Sequence, residues 1–160
     1  MREKILSILT DDCRITPKEI AVMLSMSEDA VIKEIADMES QSIIVGYRAL
    51  VDYERANIDI VTAIIELKVT PQLGEGFDAV AEKIYKFPQV KSLYLMSGGY
   101  DLSVVIEGAT MKEVALFVAE SLSPMDNVIS TATHFVLRKY KDSGRIYINN
   151  DKDDRQVITL

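Results

Sequence analysis

Over residues 2–40 the apolar positions recur at helical spacing, and beyond residue 59 strand-like alternation and helical spacing take turns. Ile5, Ile8 and Leu9 fall at i, i+3 and i+4 and predict a short amphipathic helix over 2–10, which "DDCR" interrupts. In "TPKE", Thr16 is a capping residue, Pro17 suits the first helical position and Glu19 completes a capping box, so a helix runs from about Pro17 to Leu24. After three residues Ser27 caps again, with Glu28 and Asp29 in the first turn, where the helix dipole favours negative charge. Val31, Ile35 and Met38 then line one face to about residue 40. Two capped helices joined by a tight turn, with a third ahead of them, make a tri-helical helix-turn-helix unit. The β-rich run "SIIVGYRALVD", broken at Gly46, suits a small wing or a lead-out strand.

The second half has a definite order. "DIVTAIIELKV" sets Val61, Ala63, Ile65, Leu67 and Val69 on one face of a strand. "EGFDAVAEKIYKF" has helical spacing at Phe77, Val80, Ala81 and Ile84, ended by Pro88. "VKSLYLM" and "DLSVVIE" are strands joined through "SGGY"; "TMKEVALFVAESL" is a helix capped by Thr110 with Glu113 three residues on; "NVISTATHFVLRKY" is a closing strand. The sum is a βαββαβ, ferredoxin-like arrangement and an α+β fold, with two helices over one face of an antiparallel sheet. Residues 1–50 are read as the (winged) helix-turn-helix domain, 51–58 as a linker, 59–141 as the ferredoxin-like domain and 142–160 as a polar extension. In that extension "GRIYINN" could add a strand and "DKDDRQVITL" reads as a loose tail. Two helices leave the other sheet face uncovered. On the first strand it carries Ile60, Thr62, Ile64 and Glu66, apolar at its centre, and a second copy of the chain is expected to bury it.

Composition narrows the function. Of 160 residues, 48% are hydrophobic and 27% charged, the profile of a soluble globular protein. Cys13 is the single cysteine, which excludes an intramolecular disulfide and fits a reducing cytosol. No signal peptide or membrane-spanning run is evident, so a cytoplasmic protein with no membrane partner is expected. The net charge of −7 has the wrong sign for nucleic-acid binding through bulk electrostatics, and residues 28–40 carry one positive side chain, Lys33, against five negative ones. Catalytic groups are sparse: His134 is the only histidine and lies within a strand, two aspartates beside Cys13 disfavour a reactive thiolate, and "GEG" at 74–76 lacks the rest of a dinucleotide fingerprint. No phosphate-binding loop, HExxH or serine-hydrolase elbow occurs, and neither an enzyme nor a cofactor is implied.

With the order helix-turn-helix then βαββαβ in place, the chain resembles the leucine-responsive regulatory protein / AsnC family of transcription regulators over roughly residues 1–140. The stretches that carry the resemblance are "RITPKEIAVMLSMS", "IIVGYRALVD", "SGGYD", similar to the family's G-x-x-D hairpin, and "NVISTATHFVLRKYK". The resemblance implies a regulator that binds double-stranded DNA through its first domain. The second domain would dimerise, or assemble further, and bind an amino acid or related metabolite between subunits. Thr16, Lys18, Ser25, Ser27, Lys33 and Arg48 are the candidate DNA-binding residues, while Glu34, Ala36 and Asp37 stand where Arg or Lys is common in the family. Modest DNA affinity aided by oligomer avidity, with a shallow salt dependence, is therefore expected.

Carried over to "SGGYD", the family's effector site implies that Ser97, Gly98, Gly99 and the loop N–H groups hold a carboxylate. Asp101 would orient the loop or receive an ammonium, with Tyr94, Met96 and Tyr100 at the side-chain pocket, although aromatic and Met residues on strands are more often core. Thr131 and Thr133, two apart and so on one strand face, would add hydroxyl contacts, although β-propensity alone also accounts for them. Two other readings stay open: a metabolite-binding or heteromeric partner protein that does not bind DNA, and a sirohaem decarboxylase-like enzyme built from the same two domains.

Overall fold

The computed structural model describes residues 1–71, 74 and 76–147, which fall into two units, Met1–Leu50 and the chain from Val51 onward. In the first unit α1 (Arg2–Asp11), α2 (Pro17–Leu24) and α3 (Glu28–Ser40) bury Ile5, Ile20, Ala21, Val31 and Met38 together. The capping box forms as the sequence requires. Thr16 Oγ1 accepts from the Glu19 N–H at 3.3 Å, and the Glu19 carboxylate accepts from the Thr16 N–H at 2.8 Å and from its hydroxyl at 2.6 Å. Ser25 closes α2 in the left-handed region at φ 54°, and Ser27 Oγ caps α3 by accepting from the Ala30 N–H at 3.3 Å. Past α3, the N–H groups of Ile43 and Ile44 both return to the Met38 carbonyl, and Ile44 packs on the core. The run expected as a wing or lead-out strand forms no ladder among the described residues, because no strand lies beside it in the unit.

The second unit is built on β1 (Val61–Val69), α4 (Asp78–Tyr85), β2 (Val90–Leu95), β3 (Leu102–Gly108), α5 (Met111–Phe117) and β4 (Val128–Phe135). The sheet is antiparallel with order β2-β3-β1-β4. Ala63, Ile65, Leu67 and Val69 of β1 point with Leu102, Val104 and Ile106 of β3 into the helix layer, where Val80, Ile84, Val114, Phe117, Val118 and Leu122 meet them. Thr110 caps α5 through the Glu113 N–H at 3.1 Å, and the helix runs on as a π-helical turn, Val118–Leu122. The rings of Phe87 and Phe117 meet edge to face at 5.3 Å.

Residues 51–58 do not run as an extended connection. Asp52 caps a turn by accepting from the Arg55 N–H at 3.1 Å, and the Ile58 N–H bonds the Tyr53 carbonyl at 3.0 Å. After β4 a hairpin of β5 (Lys141–Asp142) and β6 (Arg145–Ile146) turns through Ser143 and Gly144, both at positive φ as a type I′ turn needs. The expected extra strand in "GRIYINN" is thus present as far as Ile146; its residues 148–150 and the tail "DKDDRQVITL" lie outside the described residues.

The sheet face turned from the helices has Ile64 opposite Val105 at its centre, with Thr62, Glu107, Ser103, Tyr94, Glu66 and His134 around them. Ile60 precedes β1 rather than lying in it.

Two outcomes test this packing. Leu67→Ala should cost about 2–5 kcal/mol in urea denaturation, because Leu67 is fully buried and its neighbours close the space only in part. The second concerns acid. Hydrogen bonds from the Thr16 hydroxyl, and then from its backbone, hold the Glu19 carboxyl below the usual Glu value. That contribution is present above the ordinary Glu value and is lost as pH falls through the depressed one. The Tm deficit of Thr16→Val should therefore be largest near neutrality and narrow between about pH 5 and pH 3.

Candidate functional site

In the first unit Thr16, Lys18, Ser25, Ser27, Lys33 and Arg48 are all exposed. Two of them already have work inside the unit: the hydroxyls of Thr16 and Ser27 serve the caps of α2 and α3. Each cap sets a helix N-terminus outward, and such an end offers backbone N–H groups to a phosphate. Lys33 stands one turn beyond Asp29 on the outward side of α3, opposite the line of Val31, Ile35 and Met38 that meets the core. Ala36 and Ser40 continue that outward line without charge.

The carboxylates of α3 are not spread as one solvated face. Glu34 and Asp37, three apart and half-buried, both pair with Arg2 of α1. Asp37 also accepts from Gln41 Nε2 at 2.9 Å, and Glu39 accepts from the Tyr47 hydroxyl at 2.9 Å. The hydrogen bond to Glu34 raises the Arg2 guanidinium above its ordinary value against partial desolvation, while burial first and Glu39 second raise the Tyr47 phenol. Of the five acidic residues between 28 and 40, three are therefore engaged within the unit. The count of charges in the sequence overstated the negative charge that the outward side of α3 presents. Arg2 is the residue that reading missed; its signal was an arginine at the first position of α1 and two carboxylates one helical turn apart on α3.

The second candidate lies between β2 and β3. Ser97, Gly98 and Gly99 are exposed and Tyr100 and Asp101 half-buried in an open bend. A tight turn with positive φ at the glycines does not form: neither Gly98 nor Gly99 is in the left-handed region, and a Cβ at either would meet no atom within 4 Å. Backbone strain and close packing within the chain thus give no reason for two glycines here. Asp101 anchors the bend. Its carboxylate accepts from the Val69 N–H at 2.9 Å, its own N–H bonds the Leu67 carbonyl at 2.9 Å, and its carbonyl accepts from the Met96 N–H at 2.8 Å.

Thr131 pairs with Leu67 and Thr133 with Ile65, so both threonines point to the helix side of the sheet, and Thr131 Oγ1 lies 3.4 Å from Ser123 Oγ. The glycine bend and Thr131 consequently flank the same end of β1 from its two neighbouring strands. Within one chain they line no shared cleft among those described: one of about 380 Å³ lies between α4 and β2, and one of about 140 Å³ at the other end of β1. Ile60 and Thr62 line the smaller cleft, with Arg138 and Lys139, whereas Ile64 is 38% exposed on the open face. Glu66 and His134 stand 3.5 Å apart on that face. No cluster of three or more metal-ligating side chains and no helix long and apolar enough to cross a membrane occurs among the described residues.

Both units match known families. Residues 62–146 match the Lrp/AsnC ligand binding domain, and residues 1–45 match a winged helix-turn-helix DNA-binding domain. The chain is 45% identical to the HTH-type transcriptional regulator YugG of Bacillus subtilis, across 98% of this chain and 95% of that one. It is 33% identical to the HTH-type transcriptional regulator LrpA of Pyrococcus horikoshii, across 88% and 97%. Among solved structures, a transcriptional regulator of Neisseria meningitidis in complex with L-Met superposes with a TM-score of 0.70 at 23% identity, covering 88% and 90% of the two chains. AsnC of E. coli superposes at 0.65 with 20% identity, covering 86% and 91%.

Asp101→Ala should cost about 1–3 kcal/mol in chemical denaturation by stranding the N–H of buried Val69, and Asp101→Asn, which keeps an acceptor, should cost less.

Proposed function

The chain belongs to the Lrp/AsnC family of HTH-type transcriptional regulators, a helix-turn-helix unit ahead of a ligand-binding domain, and from that premise we propose that it binds operator DNA through α2 and α3 under the control of an α-amino acid or a close relative. The observation that carries the effector half is the pair Gly98–Gly99, left open on all sides and anchored by Asp101. A bend that is rigid at its base and bare at its tip lets a carboxylate approach backbone N–H groups closely. Ser97 would add a hydroxyl and Tyr100 an apolar wall. The L-Met in the Neisseria regulator supports an amino acid as the class of ligand. Thr131 and Thr133 would enter the site from the other flank of β1. A second copy, seated on the open sheet face about Ile64 and Thr62, would complete the enclosure that one chain lacks.

On the DNA side, contacts would come from the N-termini of α2 and α3 with Lys18, Ser25, Ser27, Lys33 and Arg48 around them. With so few cations, avidity of a dimer or larger homo-oligomer would supply much of the affinity. The opposing reading, a metabolite-binding partner protein without DNA binding, draws on the carboxylates of α3; their engagement with Arg2 and Tyr47 weakens it.

Genomic fragments selected by the purified protein at low salt, with and without an amino-acid mixture, should show enrichment that the mixture alters. The log-log salt slope for an enriched fragment should be shallower than the value near −10 of a strongly basic repressor. No enrichment at any salt would overturn the DNA half. Calorimetry across the proteinogenic amino acids with neither heat nor thermal shift would overturn the effector half.

A further inference from the structure

Arg2 lies on α1, outside the turn and helix that meet DNA, yet its guanidinium takes both carboxylates of one flank of α3, Glu34 and Asp37, with Gln41 completing the cluster. An α-helix is about 10–12 Å across and the major groove about 12 Å wide, so a helix inserted there turns its flanks, not only its outward line, toward phosphate walls. Two carboxylates reaching from a flank would stand within about one Debye length of those phosphates. Resting on the DNA-binding reading above, we infer that Arg2 is a positioning residue for DNA binding: it folds Glu34 and Asp37 back onto α1 and so keeps the flank of α3 from repelling the backbone. Glu39 is held in the same sense by Tyr47 on the other flank, which leaves Asp29 and Lys33 as the charged pair on the outward line.

This role differs from a phosphate contact made by Arg2 itself and from a purely structural ion pair, and a double-mutant cycle on the full-length protein separates the three. Affinity for a selected fragment, or for mixed-sequence duplex at low salt, would be measured for wild type, Arg2→Ala, Glu34→Gln/Asp37→Asn and the triple variant, with Tm recorded for each. Arg2→Ala is expected to weaken binding roughly three- to tenfold at 50 mM salt, by a factor that shrinks as salt rises. Glu34→Gln/Asp37→Asn should bind as well as wild type or better. In that background the loss of Arg2 should change affinity by no more than about twofold, since no carboxylate remains to be released.

Arg2→Lys, which keeps a cation in place, should stay close to wild type even if Arg2→Ala folds poorly. The inference is overturned if Arg2→Ala binds as wild type does. It is equally overturned if the Arg2→Ala loss is undiminished in the neutralised background, the mark of a direct phosphate contact, or if the triple variant falls in both Tm and affinity, the mark of a structural pair. A wild-type protein that retains no duplex even at low salt overturns the DNA-binding reading and this inference together.

Discussion

The side chains of Ala63, Ile65, Leu67 and Val69 must all reach one helix layer, and that demand on β1 sets the register of the strands on both sides. A slip of one residue in either pairing would turn a buried row to solvent. Because β1 is central, its far end is where the rest converges. Leu67 and Val69 offer the backbone groups that anchor Asp101, and Leu67 is also the register partner of Thr131. The location of the glycine bend thus follows from hydrophobic burial in the centre of the sheet, which sets the backbone groups that Asp101 holds, and not from Gly98 and Gly99, which are bare of packing.

The first unit applies a comparable economy to charge. Its core is small, five fully or nearly buried side chains with partly buried neighbours around them, and side-chain caps mark where α2 and α3 begin. Exposed ion pairs contribute little to stability as a rule. The weight of the Arg2 cluster is then better sought in the field around α3 than in folding.

What the sequence made legible was local. The "TPKE" box, the Ser27 cap, the alternation on β1 and the Thr110 cap each rest on neighbours within a few residues, and each forms as read. What escaped was set at a distance. That Thr131 and Thr133 share a face follows from their spacing, but which face depends on pairing with Leu67 and Ile65, more than sixty residues earlier. Glycine at 98 and 99 permits positive φ, but neither residue adopts it, so the open space around the pair bears on access and not on strain. Five acidic residues in α3 were visible, but not that Arg2 and Tyr47 would engage three of them. The one-residue widening of the helix at Val118–Leu122 carries no local mark that could have announced it.

The open face of the sheet carries a condition for any assembly laid over it. A twofold axis makes a surface its own counterpart, so a group lying on the axis meets its own image. Ile64 and Val105 tolerate that encounter, whereas a carboxylate there would face a like charge. In such an assembly a twofold axis would pass nearer Ile64 than Glu66 or Glu107, and Lys68, on the same face, would be available to answer those carboxylates, so that charge on this face would narrow the mutual orientations that apolar burial alone would accept.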